Sequence, residues 1–156
     1  MLRGPLGSVL HLACHGKDDR HVQAIELVDG SRLTSSQLSG LTGIEEAFGT
    51  RRPFVFLNAC QVGSGNQVLG DYAGMAEAFL HAGASGVIAP LWSVDDAAAR
   101  LLALRFYDRA LKHGEPPARV LRDERRRVDD AGRDAIATSA AYQFFGHPGM
   151  RLERRP

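Results

Sequence analysis

The sequence predicts an α/β domain, a three-layer α/β/α sandwich on a mainly parallel sheet, and three observations predict it. Short runs such as "VLHLAC", "FVFLNA" and "SGVIAPLW" are strand-sized and apolar on most positions, the pattern of strands covered on both faces. Between them lie stretches with apolar residues at helical spacing, so strands alternate with helices along the chain. The chain has 156 residues, 44 % hydrophobic and 24 % charged. That length fits one domain, 1–156, able to bury about 68–70 % of its unfolded surface.

Each element can be justified in order. Ser8 to Cys14 reads as the first strand, central in the sheet because it is apolar on most positions. "KDDRHVQ" is a polar connection, and "AIELVDGSRL" alternates around Asp29-Gly30, a hairpin signal. In "LTSSQLSGL", Thr34, Ser35 or Ser36 caps a short helix that Gly40 or Gly43 ends. Pro53 closes the loop before the strand Phe54 to Ala59. After the glycine-rich "GSGNQVLGD", Met75, Ala78, Phe79 and Ala82 recur at helical spacing, with Gly83 as C-cap. "SGVIAPLW" is another buried strand. Asp95 and Asp96 open the helix in "DDAAARLLALRFYDRALKHG", where carboxylates suit the positive end of the dipole. Pro116 starts a helix reaching about Arg127, and "AYQFFGHPGMRL" ends the chain as a strand with a turn. The sequence has no internal repeat and no low-complexity segment.

A net charge of +1 gathers no nucleic acid. The run Arg125 to Arg127 sits among Asp123, Glu124, Asp129 and Asp130, the composition of a solvated helix face. Apolar stretches fall short of the roughly 18 residues of a membrane span, and "MLRGPLGSVLHL" lacks a signal-peptide layout. The expectation is a soluble cytoplasmic protein without membrane partners, whose two cysteines, Cys14 and Cys60, are free thiols.

The chemistry gathers where two strands stop on reactive residues: "VLHLACHG" on His15 and Gly16, "FVFLNACQVG" on Cys60 and Gly63. In open parallel sheets functional groups collect at the carboxyl ends of strands. If these two are neighbours, a spacing of about 4.8 Å puts the residues side by side. A free thiol has a pKa near 8.5; a nearby imidazole raises its thiolate fraction and protonates a leaving amine. Cys60 is then the nucleophile and His15 the acid and base. The N–H groups of Gly16 and Cys60 are the candidates for an oxyanion hole. Taken alone, the two elements also fit a hydrogen-bonded histidine and a small buried hydrophobe. Cys14 precedes His15 by one position, which alternation sends to the other face, and reads as core packing. Cys14, His15 and Cys60 lack zinc-site spacing, so no metal is expected. The loop Gly63 to Gly70 is a weak nucleotide signal without a GK[ST] ending. No cofactor is implied.

"LHLACHG", "FLNACQVG", "EAFLHAGASGVIAPLWSVDD" and "RFYDRAL", in that order, resemble the CHAT domain, a caspase-like cysteine peptidase family related to separases and often joined to tetratricopeptide repeats. The resemblance runs from about Val9 to Leu152. It implies a caspase-like fold and a bacterial signalling, stress or immune setting. It places the family's histidine on His15, its nucleophile on Cys60, and the glycine whose amide binds the oxyanion on Gly16. "LWSVDD" is similar to an aspartate-bearing segment of separases, which puts a substrate-binding carboxylate on Asp96, with Asp95 adjacent, and implies cleavage after a basic residue. The segment's first aspartate falls on Ser93 here. Since only Met1 to Ser8 precede the histidine strand, the resemblance also implies that the N-terminal part of the usual domain is lacking.

The leading expectation is therefore a cysteine endopeptidase acting on a protein or peptide substrate, regulated by a repeat domain or partner protein missing from this chain. Two others stand beside it: a latent or inactive interaction module, and a small nucleotide-binding α/β domain.

Overall fold

The computed structural model describes residues 9–19, 22–27, 29–40, 44–61, 71–92, 94–127 and 133–152. One six-stranded sheet organises them. Its strands are β1 (Val9–Asp19), β2 (Val22–Glu26), β3 (Arg32–Thr34), β4 (Phe54–Gln61), β5 (Gly86–Pro90) and β6 (Tyr142–Gly146), in the order β3-β2-β1-β4-β5-β6. The central strands β1, β4 and β5 run parallel, and β2, β3 and β6 pair antiparallel at the flanks. The helices are α1 (Ser35–Gly40), α2 (Ile44–Phe48), α3 (Asp71–His81), α4 (Asp96–Tyr107), α5 (Pro117–Arg126) and α6 (Arg133–Ala141). They cover both faces, giving the three-layer α/β fold that the alternation predicts.

Strand alternation splits the core in two. Val55, Leu57, Val87 and Ala89 face Leu38 of α1, Phe48 of α2 and Met75, Ala78 and Phe79 of α3, all buried. Phe54, Phe56 and Ile88 face Ala99, Leu102 and Phe106 of α4 and Val120 and Leu121 of α5. Adjacent residues on a strand thus enter different cores, as the two-residue period requires.

Local chemistry fixes several ends. Thr34 Oγ1 accepts from the Gln37 N–H at 3.0 Å while Gln37 Oε1 accepts from the Thr34 N–H at 2.9 Å, a reciprocal capping box that starts α1. Gly30, at φ 76°, makes the β2–β3 turn with Asp29, whose Oδ1 accepts from the Ser31 N–H at 3.0 Å. Gly83, at φ 99°, ends α3: the Ala84 N–H donates to the Phe79 carbonyl and the Gly83 N–H to that of Leu80, both at 3.0 Å.

Four expectations need correction. The first strand does not end at Cys14 but continues to Asp19, taking in the polar "KDD" that reads as a connection. Pairing of Gly16–Asp19 with Val22–Ile25 holds this stretch extended despite its composition. The second reactive strand likewise runs past Ala59 to Gln61, parallel to β1. Two helices, α2 and α6, stand where the periodicity shows none. Finally, α5 is not simply solvated at its C-terminus, because Glu124 is buried and Arg125 Nη2 donates to the Tyr142 carbonyl at 2.5 Å. The glycine loop from Gly63 to Gly70 and Ser93 lie outside the described residues. No helix among the described residues is long and apolar enough to cross a membrane.

Candidate active site

The apolar runs of β1 and β4 bring the two reactive positions together. Their register is Val9↔Phe54, His11↔Phe56, Ala13↔Asn58, His15↔Cys60 and Gly16↔Gln61. Register partners on parallel strands lie about 4.8 Å apart and fall on the same face of the pleat. His15 and Cys60 are therefore direct neighbours across one pair of strands. For both, the structure describes the backbone.

The face they occupy follows from their neighbours. Val9, Phe54 and Phe56 belong to the α4–α5 core, whereas Leu10, Leu12, Val55 and Leu57 belong to the α1–α3 core. Positions 15 and 60 have the parity of the first set. Cys14, paired with Ala59, has the parity of the second, the face opposite His15.

On that face the sheet is filled along β4 and open along β1. Phe56 is fully buried, yet His11 and Ala13 of β1 are exposed. The His11 ring stacks on Phe56 with centroids 5.1 Å apart, and the Tyr107 hydroxyl lies 2.9 Å from His11 Nδ1. Although His11 is exposed as a residue, partial desolvation of its ring lowers its pKa, and burial pushes the Tyr107 phenol well up. Tyr107 accordingly stays protonated, and its hydroxyl and the His11 ring nitrogen share one hydrogen bond.

Gly16 marks a handover within β1. It pairs with Gln61 of β4 on one side and Ile25 of β2 on the other, whereas Val9–His15 pair with β4. The candidate oxyanion amides of Gly16 and Cys60 thus belong to adjacent strands at the carboxyl end of the parallel centre.

Asp95 and Asp96 reach the same rim by a different path, because β5 runs parallel to β4 and ends at Pro90, shortly before α4. Asp95 is the N-cap of α4. Its Oδ1 accepts from the Ala98 N–H at 2.8 Å, and its own N–H donates to Thr138 Oγ1 at 3.3 Å. Helix capping accounts for this carboxylate without a ligand. Asp96 occupies the first helical position and is exposed.

Sequence reasoning missed Asn58 and Tyr142. Tyr142, fully buried at the start of β6, donates its hydroxyl to Asn58 Oδ1 at 2.5 Å, two positions before Cys60. The polar Asn58 interrupting the apolar "FVFLNAC" was the available signal.

Among the curated proteins compared with it, none matches this chain. The family model CHAT domain matches residues 2–148, nearly the whole chain. On that match, with the parallel α/β centre and the neighbouring His15 and Cys60, the chain belongs to the CHAT-domain family, a caspase-like, peptidase-related family.

Proposed function

We propose that this CHAT domain is a cysteine endopeptidase that hydrolyses peptide bonds of a protein substrate through Cys60 and His15. The observation that carries the reading is the register pair His15↔Cys60 beside an exposed stretch of β1. The thiolate of Cys60 adds to the scissile carbonyl carbon, and the N–H groups of Gly16 and Cys60 donate to the oxyanion that forms. As the C–N bond breaks, the His15 imidazolium gives its proton to the leaving amine, leaving a thioester on Cys60. His15, now neutral, takes a proton from water, whose oxygen attacks the thioester and releases the carboxylate and the thiolate. Two free thiols suit a reducing cytoplasm. Regulation by a repeat domain or partner protein belongs to the same proposal.

The test is cleavage of a protein or peptide library by the wild type, Cys60→Ala, His15→Ala and Cys14→Ala. Loss of cleavage in the first two variants, with Cys14→Ala active, is the expected result. Cleavage that survives Cys60→Ala overturns the assignment. If Cys60 in the wild type reacts with a thiol probe no faster than Cys14 near neutral pH, the latent interaction module becomes the better reading.

Asp96, with Asp95 adjacent, is the proposed partner for a basic residue before the scissile bond. Asp96→Asn should weaken cleavage after Arg or Lys more than cleavage after neutral residues. An unchanged preference removes Asp96 from the site.

A further inference from the structure

Asn58 is a polar residue in a strand that has no packing need for one. Phe54 to Leu57 before it are buried, and Asn58 itself is half-buried. An amide at such a position destabilises the fold unless it is hydrogen-bonded, so an aliphatic side chain would serve the core better. Its acceptor is satisfied by the Tyr142 hydroxyl at 2.5 Å.

Tyr142 is itself held in place. It is fully buried opposite Pro90, its ring lies 5.7 Å from that of Phe56, and its carbonyl accepts from Arg125 Nη2 at 2.5 Å. From β6 the hydroxyl reaches across β5 to β4. The ring cannot swing away without opening a cavity in a close-packed core.

With Oδ1 committed to Tyr142, the planar carboxamide has its two N–H donors turned elsewhere. Among the described side chains neither N–H is paired, and the side chain of Cys60 lies outside that set. The next position on the same face of β4 is Cys60, about 6.6 Å along the strand at two residues' rise. His15 lies diagonally across, about 7–8 Å away. At the first of these separations, residues two apart on one face of a strand are near enough for an asparagine amide to reach toward a cysteine sulfur.

Resting on the peptidase reading above, we propose that Asn58 is a positioning residue, held by Tyr142 so that its amide N–H group donates to the thiolate of Cys60 and keeps it beside His15. A donor to the charged form favours that form, so the interaction raises the thiolate fraction near neutral pH. It would also restrict the sulfur to one direction on the open face.

The experiment is the pH dependence of iodoacetamide alkylation in the full chain, with Cys60 and Cys14 resolved by peptide mapping. The wild type is compared with Tyr142→Phe and Asn58→Asp. Freed of its anchor in Tyr142→Phe, the amide should leave Cys60 alkylated roughly three- to tenfold more slowly at pH 7, with the midpoint moved upward. Asn58→Asp keeps the shape but exchanges the donor for an anion, and should slow Cys60 further, while Cys14 is unaffected. Lowered thermal stability with an unmoved Cys60 midpoint in both variants would overturn the positioning role and leave the peptidase reading intact. If Tyr142→Phe does not fold, an unmoved midpoint in Asn58→Asp overturns it equally. A wild-type Cys60 that titrates like an ordinary thiol and no faster than Cys14 would overturn both.

Discussion

The two faces of the sheet share strands but not chemistry. The α1–α3 face is an apolar core in which Ile25, Leu38, Phe48, Val55, Leu57, Met75 and Phe79 meet side by side, and Cys14 has its parity. The α4–α5 face packs phenyl rings as well, yet it also holds Asn58, Tyr142 and the His11–Tyr107 pair, with Glu124 and Thr138 buried behind it. Positions 15 and 60 have the parity of this second face. One face can therefore consist of close-packed apolar side chains alone, while the other must also aim polar groups. Equal losses of volume on the two faces should therefore be equal in stability and unequal in function.

The largest effect tests that directly. Phe56 and Phe79 are both buried, Phe56 touching His11, Phe106, Tyr107 and Tyr142, and Phe79 stacked on Phe48. Phe56→Ala and Phe79→Ala should each cost about 3–5 kcal/mol in urea unfolding. At a temperature where both remain folded, Phe56→Ala should slow alkylation of Cys60 and Phe79→Ala should not. Equal slowing would erase the distinction between the faces.

A smaller effect concerns the charged clamp outside the α4–α5 face. Arg109, in the π-helical turn Asp108–Lys112, donates to Glu115 Oε2 at 2.6 Å and to Asp123 Oδ2 at 2.8 Å. Hydrogen bonds from Arg109 and then Arg122 hold the Asp123 carboxyl down to about 2, and Arg109 lowers that of Glu115. A carboxyl lowered in the folded state stabilises it above the unfolded pKa, and that contribution is lost as pH falls through the folded value. Wild-type stability should thus decline between pH 4 and about 2, and Arg109→Met should flatten the decline. Parallel acid profiles for the two proteins would show that the clamp is not what titrates.

The parts of this arrangement legible in the sequence are those set by nearest neighbours. The apolar runs of β4 and β5, the Thr34 cap, the Asp29-Gly30 turn and Gly83 each carry their signal within a few residues. The strand character of Lys17 to Asp19 does not, since β2 supplies it by pairing. Helix α6, "RDAIATSAA", is alanine-rich and intrinsically helical but lacks a marked apolar stripe, which is why periodicity alone passes over it. The reactive residues were legible as the ends of apolar runs, and they lie at the close of the parallel β1–β4 pairing although β1 itself continues to Asp19. Their adjacency required the register of β1 against β4. The hydrogen bond between Tyr142 and Asn58 joins residues 84 positions apart, and only the polar break in "FVFLNAC" hinted at it.

The smallest effect lies on the open edge of the same face. The Tyr107 hydroxyl lies 2.9 Å from His11 Nδ1, whereas on the α1–α3 side of β1 the described side chains are the packed Leu10 and Leu12. Removing the hydroxyl in Tyr107→Phe leaves the ring contacts with Phe56 and Phe106 and should cost about 0.5–1.5 kcal/mol at pH 8, where the imidazole is neutral. Because burial lowers the folded pKa of His11, the unfolded chain takes up a proton first as pH falls below 6.5. Stability should therefore decrease on acidification from that point, and His11→Phe should abolish this part of the decrease. Stability that rises instead between pH 7 and 5 would mean that the imidazolium is favoured in the folded protein, and that this edge of the site is electrostatically unlike the face described here.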